Sequence, residues 1–493
     1  MTDPRGANAP VIEQRSFVDG DWVEMIDSGR PLCDPNTGEA RQPKLATAEA
    51  DVERALEAAW RLFDGLVSET VGLRERCDLL LAVADELDRR QEEIALHDSL
   101  NMGAPIATSR LIAGALGDRV RAAVGDALEL GDALDLGSAG RPVRLLRRAL
   151  GPAVVIGPWN APTFTTVGKV AAALLAGCPV LLKPSENAPS GCQIFSEILV
   201  GELRRRELPE ALFQLIQGGS AVGSLLTSYP RVAALSFTGG VAAGRAVAAA
   251  ATANLAVVQM ELGSNNPAIV RADADISATA VSLVQGMTRL NGQWCEAPGK
   301  ILVHESVHDD LVAAMTVELQ GLRVGHCLDD RSDVGPLAFE RHREGLRQEV
   351  DRLLSLGGSL LATERMPDLG GWFLAPGIVT GLAPAEATQE LFGPLATVHR
   401  VADDAEALRH ANAPGGGLDA YVFGADTEAA LQLASRMRAG EVRVNGTFMS
   451  DLADGSQQTF WATSGIGGHG PQYGVRFFLG DRVVGVDRTD LPL

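Results

Sequence analysis

The chain has 493 residues, with 43 lysines and arginines against 63 aspartates and glutamates, and its formal net charge is −20. This acidity argues against nucleic acid or an anionic membrane as a general partner. There is no apolar run of about 18 residues, and residues 1–14 lack the order of a secretory signal. Six cysteines occur without a C-x-x-C pair, at positions 33, 77, 178, 192, 295 and 327. The composition therefore predicts a cytoplasmic protein with no disulfide framework and no metal site.

The first part of the chain is predicted to be a helical flank followed by an exposed strand. In residues 46–98, Ala, Leu and Val recur at three- and four-residue steps among charged residues, which predicts two helices. In residues 131–149, glycine and proline precede alternating apolar and arginine residues. That pattern is typical of an exposed strand or hairpin.

Residues 153–270 alternate short apolar runs with helical stretches, which predicts a mostly parallel sheet covered on both faces. A second α/β region follows, with helices near 275–290 and 307–320 and strands at KILVHES, AYVFGAD and EVRVNG. The last strand-like run, VRFFLGDRVVGV, has no neighbour in sequence. It could pair with residues 141–149, within the chain or across subunits.

A G-x-G-x-x-G pattern occurs at Gly465–Gly470, but it follows no apolar strand and precedes no helix. The turn and helix N-terminus that hold a pyrophosphate are therefore not expected there. Stronger phosphate candidates are Gly219 with Gly223, and the stretch Phe237–Gly240, because each lies where a strand precedes a helix. Glycine at such a turn is also common for conformational reasons alone.

Four polar residues at ends of predicted strands or turns are candidates for chemistry. Lys183 and Glu186 close the strand PVLL, where they could form a solvated ion pair or bind a ribose. Asn160 could donate to an oxyanion, although an asparagine at this place is more often a helix cap. Glu261 ends an apolar strand, where burial raises a carboxyl pKa toward the range of a general base.

Cys295 lies in the turn Asn291-Gly-Gln-Trp-Cys295, a setting in which a thiolate can be exposed and stabilised by backbone amides. The other cysteines have the surroundings of small buried residues. The sequence therefore singles out Cys295 as the candidate nucleophile.

Taken in chain order, these motifs resemble the aldehyde dehydrogenase superfamily from roughly residue 16 to 487. The segments that carry the resemblance are Pro158-Trp-Asn160, Lys183-Pro-Ser-Glu186, Phe237-Thr-Gly with Gly244, Glu261-Leu-Gly, Gly292-Gln-Trp-Cys295, Glu390-Leu-Phe-Gly-Pro394, Val442 to Gly446 and Ser464-Gly-Ile-Gly467. No single motif is decisive, but their common order makes coincidence very improbable.

The resemblance implies an α/β fold with three parts. A Rossmann-like cofactor-binding domain would comprise residues 1–130 and 150–260, and an α/β catalytic domain residues 261–455. A small β-strand oligomerisation element would comprise residues 131–149 and 456–493. We expect a homodimer or homotetramer assembled through these strands.

The implied activity is oxidation of an aldehyde to a carboxylic acid with NAD(P)⁺ through a thioester. The resemblance makes Cys295 the nucleophile, Asn160 with the Cys295 backbone N–H the oxyanion hole, Glu261 the base that activates water, and Lys169 a supporting residue. Two alternatives stay open. One is a relative that passes its acyl group to a thiol such as CoA, and the other is a catalytically silent binding protein.

The same resemblance assigns the cofactor contacts, with NAD preferred over NADP because Glu186 would repel a 2′-phosphate. Lys183 and Glu186 would contact the adenosine ribose, and Glu390 with Phe392 the nicotinamide ribose. The other residues assigned to the dinucleotide groove are Ile156, Trp159, Ser185, Gly219, Gly223, Phe237, Thr238, Gly239, Gly240 and Leu262.

The aldehyde itself is not identified by the sequence. The positions that resemble pocket walls are Thr165, Gly168, Trp294, Glu296 and Phe448, and the small residues at 165 and 168 predict a wide entrance. Departures from common family patterns advise against choosing a substrate by analogy. They are Ser264-Asn265 after the Glu-Leu-Gly motif, Gly240, Lys300 and the stretch QQTFWAT before Ser464.

Overall fold

The computed structural model describes residues 11–138 and 140–488, without the side chains of residues 68 and 69. An eight-stranded sheet forms its first layer. In spatial order the strands are Asp21–Val23, Ser16–Val18, Phe213–Leu215, Val180–Lys183, Ala153–Ile156, Ala234–Gly239, Val257–Leu262 and Gly465–Ile466. The five strands from Phe213–Leu215 to Val257–Leu262 are parallel, as the alternation of apolar runs and helical stretches predicts.

The central strands are short and apolar because helices cover both faces of this sheet. Ala153–Ile156 and Val180–Lys183 are buried at every position. The helices that connect the parallel strands are Pro162–Ala176, Ser190–Arg205, Ser220–Ser228 and Val241–Ala253.

The helical flank is more divided than the sequence predicts. Residues 46–98 belong to four helices in the described chain rather than two, because the apolar periodicity continues across breaks of only one or two residues. Leu66 interrupts the first with a left-handed φ of 59°, and Gly103 ends the fourth with a φ of 79°. The helices of the flank are Glu49–Asp64, Val67–Thr70, Leu73–Arg89, Gln91–Met102, Ile106–Gly114 and Leu116–Leu130.

A second sheet of seven strands confirms the second α/β region. In spatial order its strands are Ser359–Ala362, Gly377–Thr380, Leu395–Val401, Pro298–His304, Asn266–Val270, Asp419–Phe423 and Glu441–Val444. The helices around it are Ile276–Thr288, His308–Gly321, Glu340–Ser355, Asp404–Ala411 and Thr427–Ala434. The sequence did not predict the helix Glu340–Ser355, in which only Leu346 and Leu353 are buried.

A small antiparallel sheet contains the C-terminal strand. Leu479–Gly485 pairs along its length with Val143–Ala149, which also pairs with Ala133–Asp135. The pairing expected from the sequence therefore forms, and it forms within one chain. The strand begins at Leu479 rather than at residue 475, because Val475–Phe478 is a short 3-10 helix.

The predicted domain limits stay predictions. One observation, however, is inconsistent with the prediction that all of residues 456–493 belong to the small oligomerisation element. Gly465–Ile466 adds to the edge of the first sheet beside Val257–Leu262 instead of joining the small sheet. Two hairpin-like pairs complete the strands: Ile26–Cys33 with Ala40–Ala46, and Gln458–Thr459 with Gly468–His469. No helix within residues 11–138 and 140–488 is long and apolar enough to cross a membrane.

Two features of the fold bring the candidate residues together: the register of the first sheet and a turn between the two sheets. In the first sheet, the parallel register aligns the carboxyl ends of neighbouring strands and sets Thr238 opposite Glu261. Between the sheets, the Cys295 turn is held by Asn291, whose left-handed backbone has a φ of 61°. The Asn291 amide donates to the carbonyls of Gly103 and Pro336, at 2.9 and 2.8 Å. These buried hydrogen bonds fix the turn to the helical flank.

Candidate active site

Cys295 and Glu261, the two residues most expected to react, are in direct contact. The Cys295 Sγ–H donates to Glu261 Oε1 at 3.3 Å. Glu261 lies near the end of the strand Val257–Leu262, and Cys295 lies in the turn before the strand Pro298–His304. The contact therefore joins the carboxyl edge of the first sheet to the second sheet.

Glu261 is buried among groups that stabilise its negative charge. Thr238 Oγ1 donates to Glu261 Oε2 at 3.3 Å, and His469 Nε2 lies 3.4 Å from the same oxygen. Burial by itself raises the pKa of Glu261, but His469, Lys169 and Cys295 together outweigh burial and lower the pKa to about 2. The expectation that burial raises this pKa toward neutrality is therefore wrong, and Glu261 is a carboxylate.

Cys295 is a protonated thiol in this environment. Burial, then the negative charges of Glu261 and Glu296, raise the pKa of Cys295 well above its ordinary value. The expectation of a thiolate stabilised by backbone amides is wrong, because the partly exposed thiol donates to a carboxylate instead. Its proton can pass directly to Glu261, with which it already shares a hydrogen bond.

Asn160 lies beside the Cys295 turn. Its Nδ2 donates to the carbonyl of Gln293 at 2.8 Å. A side-chain amide has two N–H groups, so one donor remains after this bond. The Gln293 side chain is anchored in turn, donating to the Met102 carbonyl and accepting from the Ala338 N–H. The Asn160 amide is thereby held next to Gln293, the residue that lies two positions before Cys295 in the chain.

Lys169 is a buried ammonium that acts on the site through its charge. Its Nζ donates to Gln259 Oε1 at 2.7 Å, and Ser236 Oγ donates to the same oxygen at 2.9 Å. Burial lowers the pKa of Lys169 to about 8, while the charge of Glu261 opposes that shift. Lys169 is thus bound to Gln259, and it stabilises the Glu261 carboxylate electrostatically.

His469 is the residue of the site that the sequence did not indicate. It belongs to the Gly465–Gly470 stretch, whose rejection as a nucleotide fingerprint agrees with the 3-10 turn Pro471–Tyr473 that follows it. Its ring packs edge-on against Phe460, with centroids 4.8 Å apart. No motif around His469 indicates its role in the site. It lies near Glu261 because Gly465–Ile466 pairs with the strand Val257–Leu262.

The adenosine end of the predicted groove lies at the carboxyl edge of the first sheet. Glu186 accepts from Arg30 Nη2 at 2.9 Å, and a Cβ added at Gly219 would lie 2.0 Å from Glu186 Oε2. Lys183 is buried, which lowers its pKa to about 8, and its Nζ donates to the Pro184 carbonyl at 3.1 Å. The structure therefore brings together three residues of the predicted groove, Lys183, Glu186 and Gly219. It also places Arg30, which the sequence did not indicate, against Glu186.

Two helices begin at this edge without a side-chain cap. Gly219 precedes Ser220–Ser228, and Gly240 precedes Val241–Ala253. Their first N–H groups can face an anion, and a Cβ at Gly240 would meet open space. Among the other groove residues, Ile156, Phe237 and Leu262 are core residues, and Ser185 Oγ accepts from the Asn187 N–H. Gly223, Gly239 and Thr238 lie on the same edge.

The predicted nicotinamide end contains an aromatic cluster and a buried carboxyl group. Trp159 packs edge-on against Phe392, with ring centroids 5.4 Å apart, and against Phe339 at 5.0 Å. Glu390 accepts from the Ser264 N–H at 3.1 Å, and burial raises its pKa to about 7. Glu390 is therefore folded onto the segment that follows Glu261.

The predicted wide entrance at Gly168 is wrong. A Cβ added there would lie 2.4 Å from Nε of Arg119, so the glycine makes room for a guanidinium rather than for solvent. Thr165 is half-buried, and Trp294 is a core residue whose Nε1 donates to the Gly286 carbonyl at 2.8 Å. The remaining two pocket candidates are Glu296, whose pKa burial raises to about 7, and Phe448, which is 73% exposed.

Comparison with known proteins agrees with this geometry. The model of the aldehyde dehydrogenase family matches residues 22–484. The chain is 32% identical over 479 residues to the non-phosphorylating aspartate-semialdehyde dehydrogenase of Halomonas elongata, covering 95% of this chain and 94% of that relative. It is 30% identical over 495 residues to the 3-sulfolactaldehyde dehydrogenase of Pseudomonas putida, covering 97% and 98%.

Solved structures share the fold over almost the whole chain. The betaine aldehyde dehydrogenase of Staphylococcus aureus in complex with NAD⁺ has a TM-score of 0.90 at 26% identity, with 98% of this chain and 96% of that chain covered. The NAD-dependent aldehyde dehydrogenase of Sinorhizobium meliloti also has a TM-score of 0.90, at 30% identity, with the same coverage. The predicted α/β fold class and the family resemblance are confirmed.

The contact between His469 and Glu261 leads to a pH prediction. His469→Gln removes the imidazole whose interaction with Glu261 lowers the pKa of that carboxyl group, so the pKa of Glu261 rises. Since Glu261 accepts protons only when ionised, the acid limb of the turnover profile should move to higher pH. The control is His410→Gln, which removes another histidine lying 3.8 Å from a carboxylate, Glu406, in the exposed helix Asp404–Ala411. An unchanged acid limb in His469→Gln would contradict this role.

Proposed function

The chain belongs to the aldehyde dehydrogenase family, and on that premise we propose that it oxidises its aldehyde to a carboxylic acid through a thioester on Cys295. The single observation that supports this most strongly is the 3.3 Å contact between the Cys295 thiol and the Glu261 carboxylate. A nucleophile and its base lie within hydrogen-bond reach, as covalent catalysis requires.

In the first step, Glu261 takes the proton of the Cys295 thiol, and the sulfur bonds to the aldehyde carbon. The carbonyl oxygen becomes an alkoxide, which the free N–H of Asn160 and the backbone N–H of Cys295 stabilise. When bound, NAD(P)⁺ supplies the acceptor for the hydride that leaves this carbon. Loss of the hydride restores the carbonyl and leaves a thioester on Cys295.

Hydrolysis then uses Glu261 a second time. After its first proton has passed to solvent, the carboxylate takes a proton from water while the hydroxide oxygen bonds to the thioester carbon. The carbon–sulfur bond breaks, the carboxylic acid forms, and Cys295 leaves as a thiolate that regains its proton. His469 and Lys169 keep Glu261 ionised for this step, because both lower its pKa.

The edge of the first sheet fits a dinucleotide. Gly240 leaves open space at a helix N-terminus, and Glu186 lies against Gly219 at the end of the neighbouring strands. Lys183 and Glu186 would hold the adenosine ribose, and Glu390 would hold the nicotinamide ribose. Glu390 would have to turn away from Ser264 to do so, since its Oε1 accepts from that N–H.

Retention of Cys295, Glu261 and Asn160 in one place favours an active hydrolytic enzyme over the two alternatives. An enzyme that passes its acyl group to CoA would need Glu261 only to activate the thiol and not for the second step, and a silent binding protein has no need of all three groups. NADH formation with a panel of aldehydes, with and without CoA, tests the three possibilities. NAD binding with no turnover of any aldehyde would favour the silent protein.

We expect substitutions of Cys295 and Glu261 to fail at different stages. Cys295→Ala should give no NADH, because no alkoxide forms to release hydride. Glu261→Gln should give a slowed burst of NADH in rapid mixing, followed by a steady rate lower by about 10²–10⁴, the usual contribution of a general base. Added small thiol should partly restore the steady rate by accepting the acyl group.

The matched control for Cys295→Ala is Cys33→Ala, which removes a half-buried thiol in the strand Ile26–Cys33 and should leave the burst unchanged. Wild-type steady turnover in Glu261→Gln would contradict hydrolysis by this base. An acyl group passed to CoA would then be the better explanation.

A preference for NAD over NADP is proposed from the charge of Glu186, which would oppose a 2′-phosphate. The ion pair of Arg30 with Glu186 offsets part of this effect. Glu186→Gln should therefore narrow the ratio of kcat/KM values for the two cofactors, and Arg30→Gln should widen it. Arg61→Gln is the control, because Arg61 is equally exposed and pairs with Asp19 instead. Equal kcat/KM values in the wild-type enzyme would overturn the preference.

We propose that the small sheet joins subunits, because Leu479–Gly485 is its edge strand and carries exposed valines. Val483 and Val484 are 63% and 51% exposed. Light scattering should give the mass of a dimer or tetramer, and Val483→Glu with Val484→Glu should shift it toward one chain. The control is Val317→Glu, at an exposed position of the helix His308–Gly321, which should leave the mass of the assembly unchanged. A monomeric wild-type chain would refute the assembly.

A further inference from the structure

Arg119 is a cation without a partner beside the predicted entrance. It lies on the helix Leu116–Leu130, and its Cζ is 4.4 Å from the centroid of the Phe164 ring. Its Nε is buried and has no hydrogen-bond partner. Within residues 11–138 and 140–488, no carboxylate forms an ion pair with its guanidinium.

The neighbouring Arg121, in contrast to Arg119, is paired with carboxylates. Two residues farther along the same helix, Arg121 pairs with Asp85, Asp88 and Asp118. A guanidinium keeps its charge at any physiological pH, and the partial burial of Arg119 removes part of its hydration at a cost in free energy that no paired carboxylate offsets. Such a cost at Arg119 is understandable if its partner comes from outside the protein.

The position of Arg119 relates this partner to the reaction. Phe164 and Gly168, which flank the guanidinium, belong to the helix Pro162–Ala176 that begins two residues after Asn160. Glu261 is close enough for its charge to act on Arg119. The guanidinium therefore lies on the side of the active site where the helix of Gly168 faces the Cys295–Glu261 pair.

We propose that Arg119 binds an acid anion, a carboxylate or sulfonate, on the part of the aldehyde remote from its carbonyl carbon. This rests on the proposed function, since it specifies the substrate class of that same site. A guanidinium presents paired N–H donors that match two oxygens of such a group. Gly168 is required because a side chain there would displace Nε of Arg119.

Two acidic residues near the site would favour the opposite charge on the substrate. Asp451 acts on Arg119 from an exposed loop, and Glu296 follows Cys295 directly. Burial raises the pKa of Glu296 to about 7, and the nearby cation Arg443 opposes the negative charge of this side chain. Asp451 makes no ion pair with Arg119 among the described residues. Arg119 is therefore the charge without an ion-pair partner among the described residues. Its positive charge repels a cationic aldehyde, so we expect such an aldehyde to be a poor substrate.

The first test does not depend on aldehyde oxidation. N-Iodoacetylglycine and its amide differ mainly in charge at the end remote from the reacting carbon, and both alkylate thiols, so mass spectrometry of the Cys295 peptide gives a rate for each. Arg119→Gln should lower the rate of the acid relative to that of the amide by about ten- to a hundredfold, as expected for a lost hydrogen bond to a charged group. Arg121→Gln, with the same change in net charge, should leave the ratio unchanged.

The second test uses substrates. The wild-type kcat/KM for succinic semialdehyde should exceed those for its methyl ester and for a trimethylammonio aldehyde, and Arg119→Gln should remove that advantage while retaining turnover of the ester. Gly168→Ala is the second variant if Arg119→Gln fails to fold, because it keeps the arginine and displaces its guanidinium. It should reduce both the alkylation ratio and the preference for the acid.

The two proposals fail in different ways. An alkylation ratio that depends on Arg119, without oxidation of any aldehyde, would retain the anion site and overturn the proposed function. Oxidation with equal loss for charged and uncharged aldehydes in Arg119→Gln, or a wild-type preference for the cationic aldehyde, would overturn the anion site.

Discussion

The site depends on keeping one carboxylate ionised in a buried place. Moving a carboxylate out of water costs several kcal/mol unless cations and donors replace its hydration. Around Glu261 that replacement comes from Thr238, His469, Lys169 and the Cys295 thiol, and it is strong enough to lower the pKa below its ordinary value. Burial and then the same negative charge raise the pKa of the Cys295 thiol well above its ordinary value.

This arrangement requires contributions from distant parts of the chain. Thr238 is adjacent to Glu261 because two parallel strands share a register, and His469 is adjacent because Gly465–Ile466 extends that sheet from the other side. Cys295 comes from the second sheet, in a turn fixed by Asn291. The catalytic contact is thus a junction between two sheets. Its geometry depends on how they pack, as in other α/β proteins whose sites lie at strand carboxyl ends.

The charges around the junction fall into two groups. Lys169 and His469 act on Glu261, because both lower the pKa of its carboxyl group. Arg119 is separate, since it contacts Phe164 and the space above Gly168 and has no carboxylate paired with it in the described chain. This partly buried charge has no paired carboxylate in the described chain, and in our proposal it determines which aldehyde enters rather than how the aldehyde reacts.

Much of this could be predicted from the sequence. Apolar runs alternating with helical periods determine the parallel sheet, because strands buried on both faces must be apolar throughout. The ordered motifs identify the family, and that resemblance implies that Cys295, Glu261 and Asn160 share one site. The inferences that failed concerned the solvent exposure, the pKa or the free space around a single side chain.

Three such inferences concern the site itself. The sequence suggests a thiolate stabilised by backbone amides, a Glu261 pKa raised by burial and an open space at Gly168, and all three are wrong. In each case a residue far away in the chain decides the outcome: the thiol faces Glu261, the carboxylate faces His469, and Arg119 fills the space beside the glycine. A motif determines which groups are present. Desolvation and charge depend on distances of a few ångströms between segments far apart in sequence, so only the tertiary structure could determine them.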